Sequence, residues 1–140
     1  MNWAKKHWFV SVILSIVLLG WAIVGFQSLP HYDIHNFDLS TVTEIRISDR
    51  GLLGNDEKAI EDHETIQTFE HLFKKSIAVD QSEVNLKLNH GLCDVELIYK
   101  NGSTKAITVV KTLNGGIITS GQHCYRSDSV LSMIISKLKQ

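Results

Sequence analysis

Cys93 and Cys124 are the only thiols in this chain of 140 residues, and each has a histidine close by, in His90-x-x-Cys93 and His123-Cys124. Three chemistries suit such a set. A disulfide would close a loop of about thirty residues and stabilise by roughly 3–4 kcal/mol in the chain-entropy account. Two thiolates with two imidazoles would suit tetrahedral zinc or copper. Two unpaired thiols are the third possibility. Adjacent residues such as His123 and Cys124 point to opposite faces of a strand, which counts against a shared metal. The expectation carried forward is a Cys93–Cys124 bridge, with His90, Cys93, His123 and Cys124 as the alternative metal set.

Other polar groups read more simply. His31, Asp33, His35 and Asp38 cluster after Pro30. If Pro30 opened a helical turn, His31 and His35 would share a face and could bind a metal or sense pH; the plainer reading is a solvated linker. His63-Glu64 lacks the second histidine four residues on that a zinc-protease helix needs, and His71 reads as a surface residue. No serine sits in a nucleophile-elbow sequence. Thr119-Ser120-Gly121 reads as a strand end and turn, and Glu61-Asp62 as helix-start electrostatics. No catalytic residue and no cofactor are assigned, and an enzyme is not expected.

The elements that must position these residues begin with a membrane anchor. Trp8 to Phe26 carries no charged residue, and as a helix those nineteen positions reach roughly 28 Å, about the thickness of a bilayer's hydrocarbon core. The run exceeds a signal peptide's apolar region and leaves through bulky residues, Ile23, Val24 and Phe26, which favours an uncleaved anchor. Lys5 and Lys6 precede it, and no Lys or Arg follows until Arg46. That asymmetry places the N-terminus in the cytoplasm and the rest outside. Trp3 and Trp8 flank one end and Tyr32 the other, as interfacial aromatics do. The expected organisation is a cytoplasmic N-terminus at 1–7, a transmembrane anchor at 8–26, a juxtamembrane tether at 27–40 and an extracytoplasmic domain at 41–140.

Past Pro30, all 15 acidic residues face 12 of the 14 basic ones, a formal charge of −3. Such a balance argues against nucleic acid and anionic lipid surfaces as partners. The pattern within the domain is α+β. Ile45 and Ile47 alternate with Glu44 and Arg46 in a first strand, and a second lies around Lys58–Ile60. Asp62 caps a helix to about Lys75, striped by Ile66, Phe69, Leu72 and Phe73. Glu83–Asn89 alternates as a strand, turns through Asn89-His90-Gly91, and returns with Cys93, Val95, Leu97 and Tyr99. Asn101-Gly102 predicts a type I′ hairpin into Thr104–Lys111. Asn114-Gly115-Gly116 turns into Ile117–Ser120, and Ser127 caps a last helix striped by Leu131, Ile134, Ile135 and Leu138. The expectation is a small antiparallel sheet with two helices packed on it, behind one transmembrane helix.

The early strand TEIRIS, the helix after Glu61-Asp62, the hairpin VELIYKNGSTKAITV and the run of Cys124-Tyr125-Arg126 into a helix resemble small membrane-anchored or lipoprotein extracytoplasmic domains of unknown function in Gram-positive bacteria. The resemblance spans Val42 to Leu138 and implies a shape, with no activity and no site. The functional expectation is a single-pass binding or assembly protein of the cell membrane without catalysis. It would meet the bilayer through residues 8–26 and another membrane or cell-envelope protein outside. The rival is an extracytoplasmic metal- or redox-handling protein built on the Cys93/Cys124 region.

Overall fold

The structure, a computed structural model, describes residues 2–27, 30–84 and 89–140, without the side chains of 2–7, 9, 24, 26, 27, 30 and 89. The first element is α1 (Asn2–Gln27), whose every position from Val10 to Ile23 is exposed and, Ser11 and Ser15 excepted, apolar or glycine. Among the described residues no helix is long and apolar enough to cross a membrane.

The rest is α+β, as its periodicities predict. The strands are β1 (Val42–Arg50), β2 (Glu57–Ile60), β3 (Ile77–Val79), β4 (Asn89–Tyr99), β5 (Thr104–Thr112), β6 (Gly115–Ser120) and β7 (His123–Arg126). They form one seven-stranded antiparallel sheet in the order β2-β1-β4-β5-β6-β7-β3. Register assigns the faces. Asp49 pairs with Cys93, Cys93 with Val109, Val109 with Ile118, and Ile118 with Tyr125. Side chains along one such row share a face. This row, with Ile45, Ile47, Val95, Leu97 and Ile107 on the same face, is buried.

Two helices cover that face. In α2 (His63–Lys75), Asp62 accepts the Thr65 N–H at 2.9 Å, and Ile66, Phe69 and Phe73 are buried. In α3 (Asp128–Leu138), Ser127 Oγ accepts the Val130 N–H, and Val130, Leu131 and Ile134 are buried. Both stripes and both caps follow the sequence. The opposite face keeps the half-solvated character of an antiparallel sheet. There Arg50 pairs with Asp94 at 2.7 Å, and Arg46 bridges Glu44 and Glu96.

Several expectations give way. The expected turn at Asn89-His90-Gly91 is a bulge inside β4: its register against β5 slips between Asn89 and Leu92, and Gly91 takes φ +115°. Turns and bulges call on the same residue types, because both need a positive φ. The expected strand Glu83–Asn89 instead starts in a 3₁₀ turn, Gln81–Glu83, in which Asp80 accepts the Ser82 N–H; residues 85–88 lie outside those described. The Asn101-Gly102 hairpin exists but is not type I′. Only Gly102 has positive φ (+82°) there, and its N–H donates to Tyr99 O at 2.9 Å. That is a three-residue loop closed by a glycine bulge. Finally, 27–40 is not a tether throughout. Ile34, Phe37 and Leu39 are buried in the core, so the domain begins before Val42.

Candidate functional site

Cys93 and Cys124 are both buried and both free. Cys93 lies on β4 and Cys124 on β7, three strand spacings apart, roughly 14 Å. Cys93 shares the helix-covered face with Tyr125, so Cys124, the neighbour of Tyr125, is on the other face. A disulfide needs Cα atoms within about 7 Å, so the expected bridge does not form. Burial, with Asp49 and Asp94 nearby, pushes the Cys93 thiol up to about 12. Burial and Asp80 raise Cys124 too. Both shifts disfavour the thiolate, the form that redox exchange uses.

The alternative metal set falls with the same topology. His90 is exposed on β4, while His123 lies on β7 and points to the helix-covered face, away from Cys124. Among the described residues no group of three His, Cys, Asp or Glu side chains is placed to hold a metal.

The structure does assemble the cluster that reads as linker. Asp33 caps the 3₁₀ turn Ile34–Asn36 by accepting the His35 N–H at 3.0 Å. The other end of its reach is Tyr125 on β7, whose hydroxyl donates to Asp33 Oδ1 at 2.8 Å. His35 stands edge-on to the Tyr125 ring, with centroids 5.0 Å apart, and donates from Nε2 to the Ser76 carbonyl at the end of α2 at 2.6 Å. A carbonyl can only accept, so Nε2 carries the proton. His123 stacks on the same ring, with centroids 6.3 Å apart. Burial alone would raise the Asp33 carboxyl; the Tyr125 and His35 hydrogen bonds, with His35 and His123 nearby, hold it below its usual value. Burial and the Asp33 contact push the Tyr125 hydroxyl up in turn. These groups clamp the segment after α1 onto the last strand. His31 and Asp38 stand outside the clamp; Asp38 accepts the Ser40 N–H at 2.9 Å.

Beside the clamp is a cavity of about 190 Å³ lined by His31, Tyr32, Phe37, Thr104, Lys105, Ala106 and Ser120. It exists because β5 runs past β6. Their pairing stops at Thr108 and Thr119, so 104–107 have no β6 partner. Lys105 pairs with Leu97 and points to the helix-covered face, as does Ser120, two residues on from Ile118. Lys105 Nζ lies 4.4 Å from the Phe37 ring centroid and 5.8 Å from that of Tyr99. Burial lowers Lys105 below the usual lysine range. Ser120 is 1% exposed and its hydroxyl has no hydrogen-bond partner. The sequence held the signal: Lys105 occupies an inward position in the alternation Lys105-x-Ile107-x-Val109, and Ser120 in Ile118-x-Ser120.

No protein family, curated protein or solved structure matches the chain, so the geometry alone must carry its functional reading.

Proposed function

We propose that the chain is a single-pass membrane protein whose outer α+β domain binds a partner or packs into a membrane assembly, without catalysing a reaction. The observation that most supports this reading is α1. Over 10–23 its side chains are exposed on every side and, Ser11 and Ser15 excepted, apolar, and the Ser15 hydroxyl is satisfied within the helix by the Ser11 carbonyl, so it has no charged face to turn to water. A helix hydrophobic all round belongs in a core or a bilayer. The uncharged run from Trp8 to Phe26 is long enough for a bilayer at roughly 28 Å. Lys5 and Lys6 ahead of it favour a cytoplasmic N-terminus and an outer domain. The resemblance to membrane-anchored Gram-positive domains points the same way. The partner is another membrane or cell-envelope protein; the formal −3 beyond Pro30 speaks against nucleic acid.

Expression of the full chain with a tag after Gln140 tests the reading. The tag should be labelled on intact cells, and the protein should stay with the membrane through an alkaline carbonate wash. Recovery of a soluble protein with a mature N-terminus near Phe26 or Gln27 would overturn it. Crosslinking on intact cells would then identify the partner.

A further inference from the structure

We infer that the cavity between the His31–Tyr32 turn, Phe37 and the overhanging end of β5 binds a small oxyanion, a carboxylate or phosphate group, through Lys105 and Ser120. This deepens the reading of the domain as a binding module and does not depend on the anchor.

Lys105 is a cation without a counter-ion. Among the described residues no carboxylate lies within 4 Å of it, whereas Lys74 and Arg50 each have one and Arg46 has two. The Phe37 and Tyr99 rings attract its charge. A ring face is a poor acceptor, so the three ammonium N–H groups still need oxygen. Ser120 supplies a second donor on the same wall. Its hydroxyl is buried and unpartnered, while buried hydroxyls in folded proteins almost always find a partner. A compact positive charge and a hydroxyl beside open space meet the needs of one anionic oxygen group.

The site is also placed for selectivity. The domain is acidic overall, with a formal −3 beyond Pro30, so diffuse surface charge will not gather anions and any binding must be local. The cavity of about 190 Å³ admits the charged group of a ligand. Exposed His31 at its rim leaves the remainder outside. That group can belong to a soluble molecule or to a lipid headgroup.

Thermal unfolding of the full chain in phosphatidylcholine nanodiscs, titrated with sodium phosphate or sodium acetate against sodium chloride at equal ionic strength, tests this. A parallel arm uses nanodiscs in which half the lipid is phosphatidylglycerol. At least one anion should raise Tm saturably, and the Lys105 side-chain NMR resonance should shift along the same curve. Lys105→Met, which removes the charge and keeps an unbranched apolar side chain, should raise Kd by about tenfold or more, and Lys105→Arg should retain most of the affinity. Ser120→Ala should weaken binding by a smaller factor. A response to phosphate or acetate assigns a soluble ligand; a Lys105-dependent response to phosphatidylglycerol alone assigns a headgroup. No saturable response in any arm, or equal titration of wild type and Lys105→Met, overturns the site. A null titration with the tag still outside the cell removes the anion site and leaves the binding reading standing; the opposite pair of results does the reverse.

Discussion

Tyr125 and Asp33 are joined by a 2.8 Å hydrogen bond across 92 positions of sequence. It ties the segment that leaves α1 to the penultimate element of the domain. With the burial of Ile34, Phe37 and Leu39, this contact makes the segment after Pro30 part of the folded domain.

Tyr125→Phe should therefore destabilise by about 1–2 kcal/mol, the share of a partly buried hydrogen bond to a carboxylate. Asp33→Ala, which removes the acceptor and with it the cap on the His35 N–H, should cost at least as much, and the double variant clearly less than the sum, because both remove this one interaction. Chemical denaturation of the four proteins checks this. Additive costs would mean that the bond contributes nothing.

Asp33 also gives the fold an acid dependence. Its carboxyl is held below the ordinary 3.8 by Tyr125 and His35 hydrogen bonds that outweigh its burial. The folded state thus binds the proton less readily than the unfolded chain. That contribution is fully present above the unfolded value and is lost as pH falls below about 4. Stability profiles should show a shallower acid limb in Asp33→Asn than in wild type. Parallel limbs would remove Asp33 from the acid response.

The thiols should behave as two separate buried groups. Reducing agent should leave Tm unchanged, and both thiols should react with alkylating reagents only after unfolding. Cys93→Ser puts a hydroxyl into a fully buried position and should cost about 1–3 kcal/mol. The costs of Cys93→Ser and Cys124→Ser should add, since the sites share no partner. A double variant no worse than one single variant would be the signature of a bridge.

How much of this was legible varies with the length of each element and the purity of its period. The two helices of the domain carry an apolar stripe, a capping side chain and terminal charges that agree with one another, so Asp62, Phe69, Ser127 and Ile134 could be placed from sequence. The alternation in β4 and β5 was equally plain. The three residues of β3 are too few to show a period, and Ile34, Phe37 and Leu39 follow none, so local pattern marks neither the strand nor the packed segment. The clamp and the cavity depend on β7 folding back onto β6 and on β5 outrunning it. Both are properties of sheet order, which local pattern does not encode. Cys93 and Cys124 misled for the same reason: loop length favoured a bridge, and only register shows that they face opposite ways.

Gly91 and Gly102 separate two costs of a positive φ. At Gly102, φ +82°, nothing lies within 4 Å of where a Cβ would sit, so Gly102→Ala should cost only the backbone strain, about 1 kcal/mol. At Gly91, φ +115°, a Cβ would fall 2.6 Å from Leu52 Cα and closer still to the Gly51 carbonyl oxygen. Those atoms are backbone and are pinned, because Asp49 accepts the N–H groups of Leu52, Leu53 and Gly54. Gly91→Ala must displace that loop or open the bulge, and should cost about 3 kcal/mol or more. Equal melting temperatures for the two variants would mean that β4 is not bulged against the Gly51 loop. Relief of the Gly91→Ala defect by Asp49→Asn, which loosens the loop, would locate the strain at that contact.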